Sequence, residues 1–314
     1  MVPGIFKPTI NIICKFRKGY GKYDFARRDL LYAGSFGGRK SEHQKITRRP
    51  VIFFHGNADS ALRSNNFSIG WSNTVEYFLK NGYDFAELYA TSWGNNVQSE
   101  AVSRHHDCET TLRLRKFVEA VLDYTKAPLV DIIGHSMGVT LARKIIQGGK
   151  INENARTYCD LGEALNSRVL VFLAISGANY GLCFCSSPAS IKYPTCNHYT
   201  GFWSGDATVI KENSAGNTIC TIHNTVNGTT QRPVYSEYLM NLNRKGAPKE
   251  AAFLFSVWSL DDDLISNDDY VYGKPTSHVP HSDGSLVYTT IGHMATKDET
   301  ASDQFWIISR QKLP

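Results

Sequence analysis

The residue types able to carry covalent chemistry converge on one segment, Ile133-Gly134-His135-Ser136-Met137-Gly138-Val139. It contains Gly-x-Ser-x-Gly, preceded by the apolar run Leu129-Val130-Asp131-Ile132 and followed by the helix-compatible Thr140-Leu141-Ala142-Arg143-Lys144-Ile145-Ile146. A buried strand, a sharp turn and a helix form the context in which this pattern becomes a nucleophile elbow. The glycines matter sterically, because a serine in a strained strand-to-helix turn needs neighbours without Cβ atoms if its hydroxyl is to stand clear. The same turn aims the first amides of the helix at whatever binds beside that hydroxyl. A serine between two glycines also arises in ordinary loops, and the flanking strand and helix weigh against that reading here.

A serine hydroxyl is a weak nucleophile, so it needs a base, an acid to orient the base, and donors for an oxyanion. In α/β-hydrolases these follow in the order Ser, Asp or Glu, then His. Downstream of Ser136, the strand-like Ala251-Ala252-Phe253-Leu254-Phe255-Ser256-Val257-Trp258 runs into Ser259-Leu260-Asp261-Asp262-Asp263. A carboxylate after a strand is where such an acid stands, and the three aspartates leave its identity open. The run Ser285-Leu286-Val287-Tyr288-Thr289-Thr290 leads through Gly292 to His293, with a helix expected after it. His293 is preferred as base over His278 and His281, which lie in a proline-containing loop. Upstream, Val51-Ile52-Phe53-Phe54 runs into His55-Gly56-Asn57. The amide of Asn57, with that of Met137, is the expected oxyanion hole, and His55 is expected to buttress the loop.

These groups need a scaffold. Strand-length apolar runs recur at 51–54, 85–90, 130–133, 169–175, 251–258 and 286–288. Helical spacing separates them: Trp71, Val75, Phe78 and Leu79; Leu112 through Leu122, ending near Thr125 before Pro128; and Asp298 through Ile308. Strands apolar on both faces, alternating with helices, predict a mainly parallel α/β sheet covered on two sides. The 314 residues, 42% hydrophobic, can bury one large core, and a single domain over 1–314 is expected. From Gly177 to Pro233 the rhythm breaks into Gly, Ser, Asn, four cysteines and the aromatics Tyr199, Phe202 and Trp203. So long a structureless loop is improbable within a compact domain, which makes 177–233 a Cys-rich insertion. Leaving the sheet on the serine's edge, it is expected to form a cap or substrate wall through Phe202 and Trp203, against the plainer alternative of a surface excursion.

A formal charge of +5 with scattered basic residues and no nucleic-acid-binding motif argues against nucleic acid and supports only a weak preference for anionic lipid surfaces. No run reaches the 18 apolar residues of a membrane span, so stable membrane insertion is not expected. Of seven cysteines, four lie between 183 and 220. Cys183-Phe184-Cys185 lacks zinc-site spacing, so disulfides are expected rather than metal, and with them an oxidising compartment. Sequons at Asn66-Phe67-Ser68 and Asn227-Gly228-Thr229 agree with a glycoprotein. Residues 1–14 contain no sustained apolar stretch of signal-peptide type.

Together, His55-Gly56-Asn57, Gly134-His135-Ser136-Met137-Gly138, Trp258-Ser259-x-x-Asp262 and Gly292-His293 resemble the class 2 lipase family of α/β-hydrolases, particularly its secreted nematode-type members. Gly34-Ser35-Phe36-Gly37-Gly38, Leu88-Tyr89-Ala90-Thr91-Ser92-Trp93-Gly94, Asp131-Ile132-Ile133 and Ser176-Gly177-Ala178-Asn179-x-Gly181-Leu182 extend the likeness over nearly the whole chain from about residue 20. The resemblance implies a triad of Ser136, Asp262 and His293; it selects Asp262 because the family's acid is followed by one variable residue and then aliphatics. It also implies no metal or organic cofactor, a lipid or other hydrophobic ester as substrate, and an extracellular location. Bacterial polyhydroxybutyrate depolymerases are similar around Val51 to Asn57 and at Gly292-His293-Met294-x-Thr296-Lys297. The expected protein is a triacylglycerol lipase or esterase. The alternatives are a polyester depolymerase and a catalytically silent hydrolase-fold binding protein.

Overall fold

Val51 and Phe53 face one way along their strand and Ile52 and Phe54 the other, yet all four are buried. A strand apolar on both faces must be covered on both, and the computed structural model shows this. It describes residues 19–314, apart from 187, 206–209, 213–217, 221–224, 227–228, 231–233 and 266–268. The main sheet has seven strands: β1 (Ser35–Phe36), β2 (Val51–Phe54), β3 (Leu88–Thr91), β4 (Val130–His135), β5 (Val169–Ile175), β6 (Phe253–Ser259) and β7 (Gly284–Tyr288). Their spatial order is β1-β3-β2-β4-β5-β6-β7, parallel throughout except for β1, which pairs antiparallel with β3. The helices are α1 (Ser72–Lys80), α2 (Cys108–Thr125), α3 (Met137–Gln147), α4 (Glu237–Leu242), α5 (Ala295–Asp298) and α6 (Ala301–Arg310).

The alternation along each strand sorts the core into two layers. Ile52, Phe54, Ile132, Phe172 and Leu254 pack with Leu114, Phe117, Val118 and Val121 of α2 and Val139, Leu141 and Ile145 of α3. Val51, Phe53, Ile133, Leu173 and Val257 pack with Trp71, with Val75 and Phe78 of α1, and with Ile307 and Ile308 of α6. The α/β architecture with a mainly parallel, doubly covered sheet is therefore as the sequence predicts.

Three local differences stand out. The run 85–90 is only half strand: Phe85–Glu87 is a turn of 3-10 helix. Asp84 accepts the Ala86 amide at 3.0 Å while the Glu87 carboxylate accepts the Asp84 amide at 3.0 Å, a reciprocal cap that bends the chain before β3 can begin. The helix expected over 298–308 begins only at Ala301, and Asp298 instead ends the separate four-residue α5. The two-residue β1 carries no hydrophobic period and escapes any pattern reading.

Six of the seven cysteines are paired, as Cys108–Cys159, Cys183–Cys220 and Cys185–Cys196. Two bridges pin the Cys-rich region; the third, across 51 residues, ties the start of α2 to the short hairpin of Lys150–Asn152 and Tyr158–Asp160. Cys14 and the Asn227 sequon lie outside the described residues, while Asn66 is exposed.

Candidate active site

In a parallel sheet the strands deliver their following loops to one edge, where ligands of open α/β sheets bind. Four such loops carry the residues singled out by sequence: Asn57 after β2, Ser136 after β4, Asp262 after β6 and His293 after β7. The ladder is stepped at this edge, with the Ser136 amide bonded to the Ile175 carbonyl, Ser176 to Val257 and Leu260 to Tyr288.

Ser136 stands between β4 and α3 with φ 53° and ψ −129°. That is a left-handed conformation costing a non-glycine residue about 1–3 kcal/mol, held because both flanking elements over-determine it. Its neighbours show why the glycines are needed. A Cβ on Gly138 would lie within 2.5 Å of the carbonyl oxygens of Phe54 and His55, and one on Gly56 would lie 2.9 Å from the Ser136 Cβ. The start of α3 and the loop after β2 are thus pressed together. Met137, the first residue of α3, has an amide with no partner inside the helix. The Asn57 side chain is hydrogen-bonded at both ends, its Nδ2 donating to the Ala101 carbonyl (2.9 Å) and its Oδ1 accepting from Arg104 (3.0 Å). These two bonds tie the loop after β2 to the segment from Ala101 to Arg104.

His55 props up this loop. Its Nδ1 donates to the Gly56 carbonyl (2.8 Å), its Nε2 accepts the Trp93 amide (2.9 Å), and its ring stacks on Trp93 at 5.3 Å. Burial lowers its pKa to about 4, so the ring is neutral and both hydrogen bonds belong to one tautomer.

Asp262 and His293 are brought together. The carboxylate Oδ2 lies 2.7 Å from Nδ1 of His293, with both side chains enclosed. Oδ1 accepts the Leu264 and Ile265 amides at 3.0 and 2.7 Å, so the carboxylate is oriented from both ends. Burial works to raise the Asp262 pKa, but the His293 ring and the two amides outweigh it and hold the group below the ordinary aspartate value. His293 Nε2 is buried and has no hydrogen-bond partner among the described residues. No Ser136–His293 hydrogen bond is therefore formed, and that ring nitrogen is unclaimed. The elbow is linked to His293 through His135, whose Nε2 donates to the His293 carbonyl (3.1 Å) and whose ring lies 4.7 Å from that of His293.

Asp261 and Asp263 differ from one another as well. Asp261 is exposed, its amide donating to the Ser259 hydroxyl. Asp263 accepts the backbone amide of His293 through Oδ1 at 2.8 Å. The absent side chain of Gly292 makes that approach possible, since a Cβ there would lie 2.8 Å from the same oxygen. Nothing in the spacing of three aspartates marks this role. Of the rival histidines, His278 lies edge-on to Trp258 at 6.1 Å, and His281 occupies a left-handed turn with φ 68°. The carboxylate of Asp262 is paired with His293 and with neither of these.

Phe202 and Trp203 are each 4% exposed. Phe202 packs edge-on against His106 at 4.8 Å and Trp203 against His198 at 4.3 Å. His106 in turn bonds Thr140 of α3 (2.7 Å) and the Thr200 carbonyl (2.6 Å), so the Cys-rich region is seated directly on the elbow helix. Among the described residues, no group of three or more His, Cys, Asp or Glu could hold a metal ion, and no helix is long and apolar enough to cross a membrane.

With this geometry in hand, the chain can be compared with known proteins. It matches the family described as Lipase (class 2) over residues 48–306. No curated protein matches it. Among solved structures it is similar to lipase B of Aspergillus fumigatus, at 13% identity and a TM-score of 0.53, covering 93% of this chain and 59% of that one. The chain thus spans about three fifths of that lipase. Lipase BlEst2 of Bacillus licheniformis, in its mature form, aligns at 12% identity and a TM-score of 0.49 over 86% of this chain and 96% of that one. At 13% identity the likeness to the fungal lipase concerns the fold alone.

Proposed function

The chain belongs to the class 2 lipase family, and from that premise we propose that it is a carboxylic ester hydrolase acting through an acyl-enzyme on Ser136, with a triacylglycerol or similar hydrophobic ester as substrate. One observation carries the reading above the others. A serine held in a left-handed turn at the tip of a central strand shares its edge of the sheet with a buried Asp262–His293 pair whose outer nitrogen is unclaimed.

In this mechanism His293 Nε2 takes the Ser136 proton as Oγ attacks the ester carbonyl, while Asp262 stabilises the imidazolium through Nδ1. The amides of Asn57 and Met137 receive the oxyanion. Collapse of the tetrahedral intermediate breaks the C–O bond of the alcohol, which leaves with the proton from His293. Water, deprotonated by the same nitrogen, then attacks the acyl-enzyme and releases the acid, restoring Ser136. The missing Ser136–His293 hydrogen bond is compatible with this, because such bonds are often long in a free enzyme and tighten with substrate. Phe202 and Trp203 would support the acyl chain indirectly, by shaping the wall seated on α3.

Three disulfides support an oxidising, extracellular setting. The substrate is tested with p-nitrophenyl esters from acetate to palmitate, emulsified triglyceride and polyhydroxybutyrate. Turnover of long-chain esters and triglyceride is expected. Activity confined to polyhydroxybutyrate would make the protein a polyester depolymerase, and no turnover of any ester would leave a silent binding protein.

A further inference from the structure

Behind the site lies a buried ion pair that the mechanism does not use. Lys297, on α5, is four residues beyond His293; Asp59 is two residues beyond Asn57. They are separated by 238 positions in sequence, yet Nζ of Lys297 lies 2.7 Å from Oδ2 of Asp59. The same ammonium donates to the Gly70 carbonyl at 2.6 Å and lies 2.9 Å from Oδ1 of Asp298, an ion pair without hydrogen-bond geometry. Lys297 is completely enclosed.

Both ends of the pair are fixed to site loops. Asp59 Oδ1 accepts the Ser68 hydroxyl at 2.7 Å and the Gly70 amide at 2.9 Å, and the Asp59 amide closes a turn onto the Gly56 carbonyl. On the other side, the amide and hydroxyl of Thr296 both bond the Gly292 carbonyl, at 3.0 and 2.9 Å, locking α5 to the residue before His293. Burial opposes charge on Asp59, yet Lys297 overrides it and holds the carboxyl far below the ordinary aspartate range; burial likewise opposes charge on Lys297, and the carboxylates override it. A buried ion pair is a poor way to gain stability compared with apolar packing of the same volume. Placed between two catalytic loops, it can instead fix their separation.

Resting on the reading of Ser136 as nucleophile, we propose that Lys297 and Asp59 are positioning residues, a clamp that holds the oxyanion-loop amide of Asn57 at working distance from the His293 loop. A clamp of this kind acts on the transition state, in which oxyanion and imidazolium exist together, and hardly at all on the bound substrate.

The test uses Lys297→Met, Asp59→Asn and the double variant, assayed on p-nitrophenyl butyrate. Competent sites are counted by stoichiometric fluorophosphonate labelling, so that kcat is expressed per reactive serine and loss of folded protein drops out. Each single variant is expected to lose at least fivefold in kcat per site with KM within twofold of the parent. The double variant, in which only Asp298 loses its cation, should be more stable to heat than Lys297→Met while its kcat per site stays at least fivefold low. A double variant with kcat per site less than fivefold below the parent would overturn the clamp. So would one that no longer folds, since the pair would then serve stability alone. A parent protein that takes up no fluorophosphonate would instead overturn the ester-hydrolase reading itself, and the clamp with it.

Discussion

Replacing Asp262 and Asp263 one at a time by asparagine separates two carboxylates that adjoin in sequence and differ in role. At Asp262, the carboxamide oxygen can still accept the Leu264 and Ile265 amides, which lie 3.0 and 2.7 Å from Oδ1, so the loop keeps its shape. Its NH₂ group then faces Nδ1 of His293, where the carboxylate oxygen stood at 2.7 Å. Nδ1 must become the acceptor, the ring proton moves to Nε2, and the base can no longer take a proton from Ser136. Loss of the tautomer and of imidazolium stabilisation costs about 10⁴-fold in kcat. At Asp263, the asparagine oxygen can still accept the His293 amide, now without a full charge, on a side chain that water reaches. A weakened hydrogen bond of about 1 kcal/mol corresponds to roughly fivefold in rate. Stopped assays on p-nitrophenyl butyrate, with circular dichroism to confirm folding, measure both. If the Asp263 variant is the inactive one, or if the Asp262 variant retains more than a tenth of the parent activity, the assignment of the acid is refuted.

Three further outcomes follow from the same geometry. Intact-mass measurement before and after alkylation should find six cysteines protected until reductant is added, and finding free thiols at Cys183, Cys185, Cys196 or Cys220 in protein made in an oxidising compartment would contradict the bridges; loss of the 51-residue Cys108–Cys159 bridge should cost about 4 kcal/mol of stability. His55, His106 and His135 are lowered by burial, the first two to about 4 and about 3, so all three should show neutral imidazole signals by NMR at pH 5.5. Each removes stability as pH falls from 6.5, because the unfolded chain gains the proton first; the buried Asp131 and Asp269, raised to about 7 and about 8, act in the opposite sense, which makes the site-resolved signal the proper test rather than a melting curve. Trp203→Ala, compared at matched folded fraction, should weaken hydrolysis of laurate esters far more than acetate esters, since each buried CH₂ is worth about 0.8 kcal/mol, and equal losses would reduce the Cys-rich region to a support for the fold.

What is readable in the chain depends on how local each constraint is. The sheet is legible because Val51 to Phe54 and Val169 to Ile175 are apolar on both faces, a pattern only a covered parallel strand needs. The elbow is legible because its strand, glycines and helix are contiguous. The run Phe85 to Ala90 misleads in its first half because Asp84 and Glu87 form a reciprocal cap, which hydrophobic spacing does not register. The Cys183–Cys220 and Cys185–Cys196 pairings cannot be chosen from spacing, and Cys108–Cys159 joins elements that no pattern relates. The roles of Asp263 and Lys297 are invisible for the same reason: each is defined by a partner 30 or 238 positions away. Lys297 does stand within the Gly292-to-Lys297 motif, and a lysine so close to an expected catalytic histidine is the one available signal.

The central claim is that Ser136 is the nucleophile. Incubating the parent protein and Ser136→Ala with a fluorophosphonate, then mapping the adduct by peptide mass spectrometry, tests it without reference to the natural substrate. One adduct per chain is expected, on the peptide containing Ser136, absent from a folded Ser136→Ala protein whose ester hydrolysis is down by about 10⁴–10⁶-fold. An adduct on another residue, or a folded Ser136→Ala protein keeping more than a tenth of the parent activity, would contradict it.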